Sequence, residues 1–287
     1  MKVNLLLLDS YRNMNSLISY AFSFSHRSGR HLKIAYVYDE EWIRQYYTAG
    51  AATMADVGLT DYQSDVYNDF SDAEARIRDV VSEYLKKHSV DVPFDIVTTE
   101  YSKISFVEEE AAKKDSDLVL LIGNIEHSYH NIGGAFAYPD LVSHINCPVL
   151  IIPDNIHYAV IRNIVYLTNF HPEDLKVKTH LADLFNAPDL KISVLHNEKD
   201  FEFEEKIKWI GFIELAKQVT GVDSINPVLK KEKNVRDALQ EFIDTNEVDI
   251  IGILKEKKGF FEEIFKSSET KNMLKHIRLP LLVYHEN

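Results

Sequence analysis

Apolar residues along this chain fall into short, unbroken runs rather than into alternating patterns. In the first half the runs are LLLL at 5–8, LKIAYV at 32–37, PFDIV at 93–97, LVLLIG at 118–123 and PVLIIP at 148–153. Runs of this length without alternation predict strands buried on both faces, as in a parallel sheet. Amphipathic helices separate them. The clearest spans 72–88, where Ile77, Val80, Val81, Tyr84 and Leu85 recur at steps of three and four, and Ser71 with Glu74 predicts a capping box at its start. Strand and helix alternate, so the fold class is α/β.

The second half repeats this order. Strands are predicted at 162–168, 190–196, 226–231, 249–255 and 280–285, with helices at about 172–186, 201–220, 233–246 and 260–277. Spacing tests the repeat. Asp117 and Pro148 open the last two strands of the first half, and Asp249 and Pro280 those of the second; each pair is 31 residues apart. Leu32-Lys33-Ile34 is echoed by Leu190-Lys191-Ile192. From Asp9 to Asp117 is 108 residues, but from Asn169 to Asp249 only 80, and the extra 28 fall in 41–70, which reads as an inserted excursion or mobile loop. Two tandem domains are expected, 1–153 and 158–287, joined near Asp154 to His157.

Composition narrows the function. The chain has 287 residues, 45% hydrophobic, with a net charge of −13. That supports a sizeable core and argues against nucleic acid and anionic membrane as partners. The single cysteine, Cys147, excludes a disulfide framework and reads as a small buried residue. No apolar run approaches the roughly 20 residues of a membrane span. The apolar stretch at Val3 and Leu5–Leu8 is too short for a signal-peptide core. A cytoplasmic protein is expected.

The element order, a first strand ending in Asp9 or Asn169, and the closing INCPVLIIP at 145–153 together resemble the universal stress protein family. The resemblance covers essentially the whole chain. It implies two flavodoxin-like domains (adenine nucleotide alpha hydrolase-like), each a five-stranded parallel sheet of order 3-2-1-4-5 with helices on both faces. It also implies a role in stress adaptation and an edge pairing of Pro148–Pro153 with Pro280–His285 that makes an intramolecular pseudo-dimer. A homodimer or an unidentified protein partner is compatible with it.

Many members of that family bind ATP through a Gly-x2-Gly-x9-Gly-Ser/Thr loop after strand four, an acidic residue after strand one, and backbone near the end of strand two. Glycines let backbone amides cradle phosphates. Both loops depart from this pattern here. Counting back from Pro280, the glycine places hold Leu254, Lys257 and Ser267, followed by Ser268. Counting back from Pro148, they hold Ile122, Ile125 and Ala135. A one-residue slip recovers Gly123 but brings in Glu126, which is unfavourable beside a triphosphate. Gly133 and Gly134 are adjacent but off the family spacing. Asp9 matches the acidic position and Asn169 lacks its charge. Val37 and Leu195 occupy the strand-two places, where core packing competes with adenine recognition. The resemblance thus implies a binding or regulatory protein that does not bind ATP in the family's usual way. The alternative is an ATP–magnesium site in the first domain using Asp9, Val37, Gly123, Gly133 and Gly134, with at most slow hydrolysis. In the second domain Asn169, Ser267 and Ser268 are the weaker counterparts.

Other constellations are bland. His127 and His130 read as solvated loop histidines. Glu108–Glu110 with Lys113 and Lys114 read as a solvated helix face. Phe260, Phe261 and Phe265 have helical spacing and read as packing residues. Ser10, His26 and Asp39 form no nucleophile–base–orienter set, so no enzyme activity is expected. A flavin-binding electron-transfer module and a ligand-free scaffold are the remaining rivals.

Overall fold

A computed structural model describes residues 1–8, 13–39, 59–123, 142, 145–153, 156–185, 189–198, 202–220, 225–256 and 279–286, with 59–69, 123 and 219–220 described by backbone alone. The chain divides into two units, Met1–Tyr158 and Ala159–Asn287.

The first unit runs β1 (Val3–Leu8), α1 (Met14–Ser28), β2 (His31–Tyr38), α2 (Leu59–Lys87), β3 (Phe94–Glu100), α3 (Lys103–Ala111), β4 (Ser116–Gly123) and β5 (Val149–Pro153). The strands lie in the order β3-β2-β1-β4-β5 and every neighbouring pair is parallel. The central strands are buried almost throughout, as their unbroken apolar runs require; Leu5, Leu6, Ile34, Leu118 and Leu120 are core residues. β3, at the edge, is only partly covered.

The second unit repeats the plan: β6 (Asn163–Leu167), α4 (Glu173–Phe185), β7 (Lys191–Asn197), α5 (Phe203–Thr220), β8 (Ile225–Lys230), α6 (Val235–Thr245), β9 (Ile250–Lys255) and β10 (Leu281–His285). Its order is β8-β7-β6-β9-β10, again all parallel. Pro227 is tolerated in β8 because that strand is the sheet's edge on its β7-distal side. Each unit is therefore the five-stranded α/β sheet expected from the sequence.

The aspartates that open β4 and β9 both anchor the amino end of their sheet. Asp117 accepts from Arg30 Nε at 2.8 Å and pairs with Lys2 at 3.1 Å. Asp249 Oδ2 accepts from the backbone amides of Arg162 and Asn163, each at 2.8 Å.

Two expectations are corrected. The helix expected to start at 72 begins at Leu59, so Ser71 and Glu74 lie inside it and form no capping box. Glu74 instead accepts from Arg78 one turn on, at 2.7 and 2.9 Å. The added turns are held to the sheet where Phe70 meets the rings of Tyr36 and Tyr38. Residues 59–70 are thus helical, while 40–58 lie outside the described residues.

The helix carrying Glu108–Glu110 is likewise not solvated throughout. Glu110 is largely buried and takes ion pairs from Lys33 at 2.8 Å and Lys113 at 2.6 Å. Those cations hold its carboxyl below the usual range against the cost of burial.

Candidate functional site

In an open parallel sheet of this order, the crevice for a ligand lies beyond the carboxyl ends of strands one and four, where the strand order reverses. In the second unit that place is the space above β6 and β9.

β6 delivers Tyr166 there, Thr168 follows that strand, and α4 delivers Asp174 and Lys178. Asp174 is buried and fully engaged. Its carboxylate accepts from Tyr166 Oη at 2.5 Å, Thr168 Oγ at 2.6 Å and the His171 amide at 3.1 Å. Burial pushes its pKa up, while those donors and the Lys178 charge pull the other way. Burial also holds the Tyr166 hydroxyl well above its ordinary value, with Asp174 adding to the shift.

Lys178 lies one turn further along α4 and is 0% exposed. Its Nζ has no hydrogen-bond partner and sits 3.9 Å from the centroid of the Phe212 ring. Burial lowers its pKa to about 8, with Asp174 opposing. A ring face recovers part of the lost hydration of an ammonium but not all of it.

The loop after β6 closes over this group. Phe170 adopts φ 62°, a left-handed conformation uncommon for a bulky side chain. Its amide donates to Thr168 Oγ at 3.1 Å. Its ring lies 4.0 Å from the His196 ring, with Trp209 and Phe212 of α5 at 5.8 and 5.6 Å between centroids. His196, near the end of β7, donates from Nδ1 to the Thr168 carbonyl at 3.0 Å. That bond places the ring proton on Nδ1, so buried Nε2 carries a lone pair with no partner. Burial lowers the pKa of this histidine, which keeps the ring neutral at pH 7.

The outer rim is acidic. Glu256 follows β9 and receives a hydrogen bond from Asn169; burial raises its pKa, and the carboxylates of Asp174 and Glu286 add to that. His171 faces Glu286 at 3.6 Å.

The other side of each crevice is tied down in the same way in both units. The echo of 32–34 in 190–192 sets Asp39 against Asn197, each just past or at the end of strand two. Asp39 Oδ2 accepts from the Lys103 amide at 2.7 Å. Asn197 Oδ1 accepts from the Glu232 amide at 2.8 Å, and its Nδ2 donates to the Glu232 carbonyl at 3.1 Å.

Among the residues expected from the sequence, Val37 and Leu195 are buried within β2 and β7. Asn169 is exposed at the carboxyl end of β6, and Gly123 is the last residue of β4, in register with Pro153 of β5. Asp9, Gly133, Gly134, Ser267 and Ser268 lie outside the described residues, as do His127, His130, Phe260, Phe261 and Phe265. Sequence reasoning missed Asp174, Lys178 and His196. The signal for the first two was present: positions 174, 177, 178, 181, 184 and 185 follow helical spacing onto one face, and that face is buried.

A depression of about 350 Å³ lies at the opposite, amino ends of the strands in the first unit. Its lining residues contact one another, with His31 Nε2 2.9 Å from an Asp95 carboxylate oxygen and Lys33 in an ion pair with Glu110 at 2.8 Å. Among the described residues no group of three or more His, Cys, Asp and Glu side chains is arranged to hold a metal ion. Nor is any helix among them long and apolar enough to cross a membrane.

No protein-family model matches the chain. No curated protein matches it either. Solved structures do. A universal stress protein from Archaeoglobus fulgidus superposes with a TM-score of 0.64 at 9% identity, over 99% of this chain and 96% of that one. A protein from Pseudomonas aeruginosa described as a universal stress protein gives 0.53 at 10% identity, over 99% and 92%. The cytoplasmic domain of a prokaryotic cation chloride cotransporter also gives 0.53 at 10%, over 99% and 95%. At these identities the likeness is one of fold: the chain has the duplicated α/β fold seen in universal stress proteins.

Proposed function

We propose that the protein is a binding or regulatory protein of universal-stress-protein type, without catalysis of its own, that does not bind ATP in the family's usual way, its second unit having given up the nucleotide site. The observation that carries this reading is Phe170. Its left-handed backbone turns the ring onto His196, between Trp209 and Phe212, beside the strand-two position at which an adenine is expected. Glu256 adds a carboxylate on the phosphate side, where a triphosphate needs amides and cations. The occurrence of the same duplicated fold in a transporter's cytoplasmic domain supports a role in binding rather than chemistry.

A second reading keeps an ATP–magnesium site in the first unit. It is favoured by Gly123, which closes β4 with a bare backbone at the carboxyl edge, whereas the second unit's corresponding strand runs into Lys255 and Glu256. The residues that complete that site are Asp9, Gly133 and Gly134.

One experiment separates the two. Thermal unfolding is followed with and without millimolar ATP and magnesium, for the wild type and for Asp9→Ala. Ligand at about 100 times its dissociation constant stabilises by roughly 2.7 kcal/mol, a shift of several degrees in a chain of this size. No shift in either protein is the expected result. A shift in the wild type that Asp9→Ala abolishes overturns it in favour of the first-unit site.

A further inference from the structure

We infer that the outward face of α5 is the contact surface for a second copy of this chain. The inference is independent of the nucleotide question.

Helix α5 is anchored by Phe212, Ile213 and Ala216, which are buried. Its opposite face is also apolar. Phe203 is 73% exposed, Ile207 55% and Ile210 63%, and they fall at i, i+4 and i+7 on one stripe. Three large apolar side chains aligned in exposure are a surface feature that solitary soluble domains avoid.

Gly211 lies beside this stripe. A helix-interior glycine costs about 1 kcal/mol relative to alanine. Nothing among the described residues requires it, since a Cβ there would meet none of their atoms within 4 Å. A bare backbone next to Ile207 and Ile210 suits the close approach of another helix.

The charges beside the stripe are self-complementary. Take two α5 helices running antiparallel about a twofold axis through Ile210. Lys206, four residues before the axis, then faces Glu214, four residues after it, and the pair occurs twice. Phe203 is brought against the aliphatic stem of Lys217. An isologous contact needs this kind of pattern, in which one patch complements itself. Both Lys206 and Glu214 are exposed. So few side chains bury an area at the low end for protein interfaces, so the dimer is reversible and concentration-dependent.

The test is sedimentation velocity of the full chain at near-physiological salt, over a series reaching about 1 mM. Four variants accompany the wild type: Ile210→Lys, Lys206→Glu, Glu214→Lys and the double charge swap. All substituted positions are exposed, and far-ultraviolet circular dichroism confirms folding. The expected wild-type behaviour is a monomer–dimer equilibrium. Ile210→Lys abolishes it, each single swap weakens it about tenfold by setting like charges face to face twice, and the double swap restores it. A protein that stays monomeric throughout overturns the inference. So does a dimer indifferent to Ile210→Lys, or single-swap defects that the double swap leaves uncorrected.

Discussion

Gly252 of β9 lies against the ring of Tyr166 on β6, so close that a Cβ built on it would stand 2.9 Å from Tyr166 Cδ2. Tyr166 is wholly buried and its hydroxyl is fixed on Asp174, so the ring has little room to give. Gly252→Ala is therefore expected to destabilise the fold by about 1–3 kcal/mol through overpacking. Urea unfolding measures it. A Tyr166→Val background that relieves the clash should shrink the effect, and a cost unchanged in that background would place the strain elsewhere.

Lys178 makes stability depend on alkaline pH. Its pKa is near 8 when folded against an ordinary 10.5. Between those values the unfolded chain binds more protons than the folded one, so stability rises with pH across the window. The full span is worth about 3 kcal/mol. Lys178→Met keeps the volume and removes the charge. It is expected to equal or exceed the wild type at pH 7 and to flatten the rise between pH 8 and 10.5. Urea midpoints at pH 7 and 9 decide it; a loss of equal size at both would show no dependence on the lysine's charge across this window and would overturn the prediction.

Arg30 and Asp117 are a buried ion pair, 5% and 7% exposed. Removing one partner strands a charge, at a cost of about 3–5 kcal/mol. Arg30→Met should fall in that range, softened by Lys2, which also reaches Asp117. Replacing both members, as Arg30→Met with Asp117→Leu, should recover much of the loss. Denaturant titration of the single and double variants gives the coupling, and additive losses would contradict it.

Cys147 is expected to be inert in the folded protein. It is buried, and burial pushes its thiol up to about 12. The thiolate is the reactive form, so a disulfide reagent at pH 8 should modify it only after denaturant is added. Rapid labelling of the native protein would contradict this.

Much of the fold was legible in the chain. The parallel sheets follow from unbroken runs such as Leu5–Leu8 and Leu118–Ile122, which leave no polar face for solvent. The repeat follows from the equal spacing of the paired strands. Helix starts were less legible. Ser71 and Glu74 match a capping box, but a polar pattern alone cannot tell a cap from an interior turn whose glutamate pairs with Arg78. The buried polar group above β6 was hidden for a related reason. Lys178 and Asp174 have charged names, and charge ordinarily signals solvent. Only their helical phase with Val177 and Leu181 points inward. Glu110 was misread by the same habit, because its partner Lys33 is far away in sequence.

Asp39 and Asn197 perform the same task with side chains that differ by a full unit of charge. Each captures one amide at the start of the segment after its third strand, and either oxygen suffices. The captured amide on that side of the crevice thus accepts a charged or a neutral oxygen. Net charge at the rim of the first half becomes a property that a single substitution at Asp39 can alter while keeping that bond, whereas an aspartate at 197 would forfeit the Asn197 Nδ2 bond to the Glu232 carbonyl. The two units are in this respect a matched pair of scaffolds already set to different electrostatic values.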